Sequence, residues 1–153
     1  MSKINWKNKC WVTTVFLVNR ENKVLLNWNK VLQTWIPVGG HIDKGETPME
    51  AIIREVEEEI GADFELYGDF TRENDGKIEV VKLHRSQMEA VPHHGLHMNF
   101  VFFGRLKSIS KKVKATDEEE RLRWFTKEDI LNQSGMWESV KKPALAAIDM
   151  VRF

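Results

Sequence analysis

An α/β fold is predicted for this chain by three observations. Strand-forming runs recur along the sequence, a strongly amphipathic helix interrupts them after the third, and two further helical segments close the chain. The 153 residues suffice for one domain burying about two-thirds of the surface its unfolded form exposes. Neither an internal repeat nor a low-complexity linker divides residues 1–153, so a single domain is expected.

Residues 9–18 and 23–28 are rich in β-branched and aromatic side chains and are separated by the polar Arg20-Glu21-Asn22, which predicts a hairpin. Residues 35–40, Trp-Ile-Pro-Val-Gly-Gly, read as a short extended piece, because Pro37 biases Ile36 away from helical angles. A helix follows over about 47–60. Thr47 is its N-cap, Pro48 its first residue and Glu50 the partner in a capping box, and Gly61 supplies the stop. Strands are predicted over 64–72, 77–84 and the apolar 96–106, with Gly76 and Pro92-His93-His94-Gly95 marking turns. A short strand at 121–125 then leads into helices at about 126–133 and 140–152.

Composition narrows the function. Hydrophobic residues at 42% and charged residues at 30% exclude a disordered, collagen-like or coiled-coil chain. With 23 basic and 23 acidic residues the net charge is zero, so no overall field draws the chain to nucleic acid or membrane. Five basic residues between Arg105 and Lys114 read as a solvated loop. Lys3, Lys7 and Lys9 before the apolar run 11–18 imitate a signal peptide, but no small-residue cleavage site follows and a strand explains the run. The single cysteine, Cys10, cannot pair within the chain and reads as a small buried hydrophobe. It fits a reducing compartment, and a cytoplasmic location is expected.

The helix at 47–60 carries the chemistry. Met49, Ile52, Ile53, Val56 and Ile60 form one apolar stripe that would pack on a sheet. At about 100° per residue, Glu55, Glu58 and Glu59 share an arc beside that stripe, whereas Glu57 points the other way. Like charges so placed repel by some tenths of a kcal/mol per pair. A divalent cation would convert the repulsion into binding, and hard oxygen ligands favour magnesium or manganese over zinc. On the carboxylates alone, a solvated acidic face is the favoured reading of the arc.

The larger pattern decides between these readings. Residues 40–62, GHIDKGETPMEAIIREVEEEIGA, resemble the Nudix box, G-x5-E-x7-R-E-U-x-E-E-x-G-U with U apolar. Gly40, Glu46, Arg54, Glu55, Glu58, Glu59 and Gly61 all match. At roughly 6% per residue type, a chance match is on the order of one in a million. The approach over 35–40 and the Arg123-Trp124-Phe125 strand look similar to the family as well.

The resemblance implies an α/β/α sandwich on a mixed sheet with a loop–helix–loop catalytic motif. It implies Mg2+, with Mn2+ able to substitute, held by Glu55, Glu58, Glu59 and the Gly39 carbonyl. It pairs Arg54 with Glu46 to orient the carboxylates. The implied reaction is hydrolysis of the pyrophosphate bond in a nucleoside diphosphate linked to another group. A carboxylate must accept the proton of the attacking water: Glu58 or Glu59 within the box, or a later acid, of which Glu118 is the first choice and Glu119 the second. Gly40 would let the backbone approach phosphate or metal. Trp28, Trp35 and His97 are candidates for substrate contact, and aromatic residues on apolar strands are otherwise core. The expected partner is a small nucleotide, with nucleic acid disfavoured, no membrane and a homodimer allowed. Two alternatives stay open: a nucleoside triphosphate pyrophosphohydrolase releasing monophosphate and pyrophosphate, including from oxidised nucleotides, and a non-catalytic nucleotide-binding module.

Overall fold

The computed structural model describes residues 3–68, 71–73, 76–80, 82–109 and 122–153. Strand β1 (Lys9–Val18) lies at the centre and turns back into β2 (Val24–Asn29). The Asn19 side chain closes that turn by accepting the N–H groups of Glu21 and Lys23 at 3.1 and 3.0 Å. Strands β3 (Thr34–Ile36) and β4 (Val38–His41) part company at Pro37, which has no N–H to donate: β3 pairs with β2, and β4 with β1.

Helix α1 (Pro48–Ile60) begins and ends as predicted. Both halves of the Thr47–Glu50 capping box form, and Gly61 caps the far end in the left-handed conformation. Strand β5 (Ala62–Leu66) follows. The pair β6 (Thr71–Glu73) and β7 (Ile78–Val80) makes a separate two-stranded ribbon. Strand β8 (Arg85–Val91) leads into the long β9 (Gly95–Ile109), which runs parallel to β1 from Lys9↔Leu96 to Val18↔Arg105. One edge of β9 therefore holds β1, and the other is shared by β8 and then β5, both antiparallel. Strand β10 (Leu122–Phe125) closes the sheet against β2, giving the order β10-β2-β1-β9-β5. The helices α2 (Lys127–Asn132) and α3 (Glu138–Met150) end the fold.

The sheet is mixed and covered on both faces, the predicted α/β/α sandwich. Phe16, Val18, Val101 and Phe103 turn toward α2 and α3, where they meet Ile130, Val140, Ala144, Ala147 and Ile148. Val15, Leu17 and Phe102 turn the other way and meet Ile52, Val56 and Ile60 of α1. A strand buried on both faces reads as an unbroken apolar run, which is why 11–18 imitates a signal sequence. Each fully buried Ile of α1 is worth about 1.5–3 kcal/mol over exposure. Ile53 departs from the predicted stripe. It is 54% exposed, and the small Ala51 is buried in its stead.

Other boundaries move. The expected strand 77–84 is confined to residues 78–80, and β8 at 85–91 was not anticipated. Arg105 to Ile109 continue β9 where a loop was expected. In β8 the side chains of Arg85, Gln87, Glu89 and Val91 turn inward while Ser86, Met88 and Ala90 face solvent, so three of its four inward positions are polar. Helix α3 contains Pro143, which cannot donate to the carbonyl four residues earlier. That carbonyl, of Ser139, accepts instead from Gln87 Nε2 at 3.1 Å.

Candidate active site

The loop before α1 and the first turns of the helix are tied together by Arg54. Its Nε and Nη2 donate as a fork to Glu46 Oε2 and Oε1 at 2.8 and 2.9 Å. Nη1 donates to Glu55 Oε1 at 3.1 Å and Glu58 Oε2 at 3.2 Å, and Nη2 also reaches the His41 carbonyl at 3.1 Å. Asp43 lies 3.4 Å away, and its own N–H donates to Glu46 at 2.9 Å. The hydrogen bond from Arg54 is the first cause of a lowered Glu46 pKa, and the Glu46 partnership raises that of Arg54 further still. One cation thus fixes two of the three carboxylates on the predicted arc.

Strand β4 slides between this helix and β1 because Gly39 and Gly40 have no side chains. A Cβ on Gly40 would come within 2.5 Å of Glu55 Oε1, and one on Gly39 would run into the Thr13 carbonyl. The glycines therefore let the backbone meet the glutamates directly. The Glu59 carboxyl accepts a hydrogen bond from the Gly39 backbone, yet its pKa is pushed up to about 8, first by burial and then by the charge of Glu55. Glu59 is exposed by surface area, so burial alone does not carry this shift, and the neighbouring Glu55 and Glu58 carboxylates sustain the upward direction. Uncompensated negative charge on hard oxygen atoms is the setting a divalent ion fits.

This shift has a measurable consequence in chelated, metal-free protein. Between about pH 6.5 and 8 the folded chain holds a proton on Glu59 that the unfolded chain has already released. Folded stability therefore declines as pH rises through that window. Burial lowers the pKa of His97 to about 4, which gives the opposite slope but only below 6.5. The melting temperature should fall from pH 6.5 to 8 in wild type and stay nearly level in Glu59→Gln; equal slopes would refute the assignment.

Two recesses flank the carboxylates. One is a cleft of about 240 Å³ lined by Pro37, Gly39, Gly40, Trp137 and the polar Thr14, Asn99 and Glu89. Thr14 Oγ1 donates to Asn99 Oδ1 at 3.0 Å, Asn99 Nδ2 donates to Glu89 Oε2 at 3.0 Å, and Gln87 also donates to Glu89. The other is a more open groove where Trp28, Asn29 and Lys30 face Glu58 and Glu59.

A family model of the NUDIX domain matches residues 9–148, from the first residue of β1 well into α3. The chain belongs to the Nudix family. Among solved structures, the Nudix chain is similar to a NUDIX-family hydrolase from Clostridium perfringens, at 27% identity and a TM-score of 0.75, covering 95% of this chain and 99% of that one. It shares its fold with a MutT protein from Methanosarcina mazei Go1, at 17% identity and a TM-score of 0.62, covering 96% of each chain. A curated relative, the asymmetrical bis(5'-nucleosyl)-tetraphosphatase of Sus scrofa, is 22% identical over 102 residues, 67% of this chain. The match spans 62% of that relative's length.

The other sequence-predicted positions fall in different places. Glu57 is exposed and lines a recess with Met49, Ile53 and Asp63, away from the arc. Trp28 borders the open groove, whereas Trp35 stands edge-on between Trp28 and Phe125 and packs against the core. His97 lines the cleft. Glu118 and Glu119 lie outside the described residues. Cys10 is not the buried hydrophobe expected: it is half-buried, with its Sγ 3.3 Å from His94 Nε2. Among the described residues no helix is long and apolar enough to cross a membrane.

Glu89, Asn99 and Thr14 escaped the sequence reading. The signal for Glu89 was the alternation Gln87-Met88-Glu89-Ala90-Val91, read with the polar set inward, a choice that sequence alone does not favour. Asn99 is 3% exposed within an apolar strand, and a buried amide in such a run invites the question of what it binds.

Proposed function

We propose that this Nudix chain hydrolyses the pyrophosphate bond of a nucleoside diphosphate linked to another moiety, using Mg2+, for which Mn2+ can substitute. The observation that carries the reading is the Arg54 clamp, which holds Glu55 against Gly40 at the cleft wall and Glu58 in the open groove. Glu55, Glu58, Glu59 and the Gly39 carbonyl would hold the ion. When bound, it neutralises phosphate charge and acidifies the attacking water. Arg54 and Glu46 act as positioning residues for the carboxylates, and Gly40 leaves room for phosphate to approach the backbone.

Asn99 and Glu89 offer a donor–acceptor edge at the cleft floor suited to a nucleobase, with His97 in the wall. A cleft of about 240 Å³ is smaller than the roughly 300–1,000 Å³ of sites for drug-sized ligands, so it takes part of a nucleotide and leaves the phosphates outside over the glutamates. Trp28 supplies a stacking face in the open groove, and Trp35 buttresses it.

The test is product analysis on a panel: nucleotide sugars, dinucleoside polyphosphates of the kind named for the Sus scrofa relative, and ordinary and oxidised nucleoside triphosphates. The reading requires a nucleoside monophosphate product from a linked diphosphate. Turnover confined to triphosphates would replace it with the pyrophosphohydrolase alternative, and nucleotide binding without turnover would leave a binding module.

Glu118 is proposed as the general base from the acidic segment before β10. Glu118→Gln should then cut turnover at saturating substrate and metal by at least about tenfold, within reach of the roughly 10²–10⁴ that general-base catalysis contributes. Glu120→Gln should be nearly silent. Equal rates for wild type and the Glu118 variant, compared at matched thermal stability, would move the base to Glu58 or Glu59.

A further inference from the structure

The pairing of the central strands brings four soft ligands together at one corner of the cleft. In the parallel register of β1 and β9, Cys10 stands opposite His97, and β4 brings His41 opposite Val12, two residues further along β1. His94, in the turn between β8 and β9, completes the group. One ligand atom from each of the four residues lies within 4.8 Å of every other. The imidazole centroids are 4.7 Å apart for His94 and His97, 5.5 Å for His41 and His94, and 5.6 Å for His41 and His97.

Hydrogen bonding accounts for only part of this arrangement: Asn8 donates to the His94 carbonyl at 3.2 Å and accepts from Cys10 Sγ at 3.9 Å, and neither bond involves His41 or His97. The Cys10–His94 contact engages two of the four residues, and among the described residues His97 Nε2 is buried without a hydrogen-bond partner. Among the described residues no carboxylate forms an ion pair with these three imidazoles, although Glu89 stands opposite His97 across β8 and β9. One central cation would serve all four.

We propose that Cys10, His41, His94 and His97 form a structural zinc site, chemically separate from the glutamate arc. Thiolate and imidazole are the ligands of Zn2+, whereas carboxylates beside phosphate suit magnesium. Zinc bonds of about 2.3 Å to sulfur and about 2.0–2.1 Å to nitrogen at a tetrahedral angle separate S from N by about 3.5 Å. The Cys10–His94 distance is already 3.3 Å. Ligand separations of up to 4.8 Å must close by as much as about 1.5 Å, within reach of side-chain rotation. Four protein ligands close the coordination shell, so the site is structural. On binding, the Cys10 thiol gives its proton to solvent and the three histidines enter neutral, leaving a net charge of +1.

The ligands come from β1, from β4 and from the β8–β9 turn with the start of β9, so zinc would pin the strands that wall the cleft. It would also fix His41, whose carbonyl accepts from Arg54.

The experiment uses full-length protein, stripped with chelator, reloaded with Zn2+ and dialysed, with metal content read by mass spectrometry. One zinc per chain is expected in wild type and equally in Glu58→Gln. Zinc affinity should fall at least about 100-fold in the Cys10→Ala/His94→Ala double variant, more than the loss of an outer-shell partner costs. The wild type alone gives a second reading that no folding defect can blur. Co2+ in place of zinc should produce a thiolate-to-cobalt charge-transfer band, and zinc should shield Cys10 from a thiol reagent until chelator is added. Binding well below one zinc per chain, cobalt uptake without the thiolate band, or zinc lost in Glu58→Gln but kept in the double variant would each overturn the proposal.

Discussion

Turnover of Glu58→Gln is expected to fall by at least about 100-fold while the protein stays folded. Glu58 has a side chain 59% exposed, so the nearly isosteric amide disturbs no core contact, and the Arg54 Nη1 donor at 3.2 Å keeps an oxygen acceptor. What disappears is a negative charge at the centre of the proposed metal site and a group able to take a proton, whose loss costs roughly 10²–10⁴ in rate. Chelation of divalent metal should abolish turnover of the wild type. Glu57→Gln is the control. One residue away but on the opposite side of α1, it should stay within a few-fold of wild type. A large loss at Glu57, or full activity of Glu58→Gln, would show the helix phase or the metal assignment to be wrong.

Arg54→Lys should be nearly as damaging, although charge is retained. The guanidinium makes five hydrogen bonds to four residues, including a two-pronged fork on Glu46 that an ammonium cannot reproduce. Without the fork the loop before α1 loses its tie to the helix, and Glu55 and Glu58 lose a shared donor. Misplacement of catalytic groups by about 1 Å can cost on the order of 100-fold, and a loss of that size is expected in kcat. The metal concentration for half-maximal rate should rise in parallel, a change that reduced substrate affinity alone would not give. Unchanged metal dependence would assign Arg54 to simple stabilisation of the fold.

The parts legible in the sequence were those governed by local rules. Thr47, Pro48, Glu50 and Gly61 delimited α1 because caps and stops are chemical signals within one turn, and helical periodicity placed Glu55, Glu58 and Glu59 on one arc. The Cys10–histidine corner was not legible, because it depends on a parallel register between residues 87 positions apart. Strand β8 went unrecognised for a different reason. Its inward face carries Gln87 and Glu89, so its pattern is inverted relative to an ordinary half-buried strand. Ile53 was assigned to the buried stripe because periodicity cannot tell the centre of a helix–sheet contact from its margin.

Pro143 gives α3 something helices seldom possess, an addressable position. In an uninterrupted helix each interior carbonyl is already engaged, so a neighbour meets a smooth rod that can rotate or slide with little change in bonding. The open Ser139 carbonyl is a single notch, and Gln87 is the pin seated in it. Displacing α3 by one residue along its axis would swing the notch by about 100° and carry it about 1.5 Å away. Strand and helix are thereby indexed to each other, and with them Trp137 on the helix side of the cleft and Glu89 on the strand side.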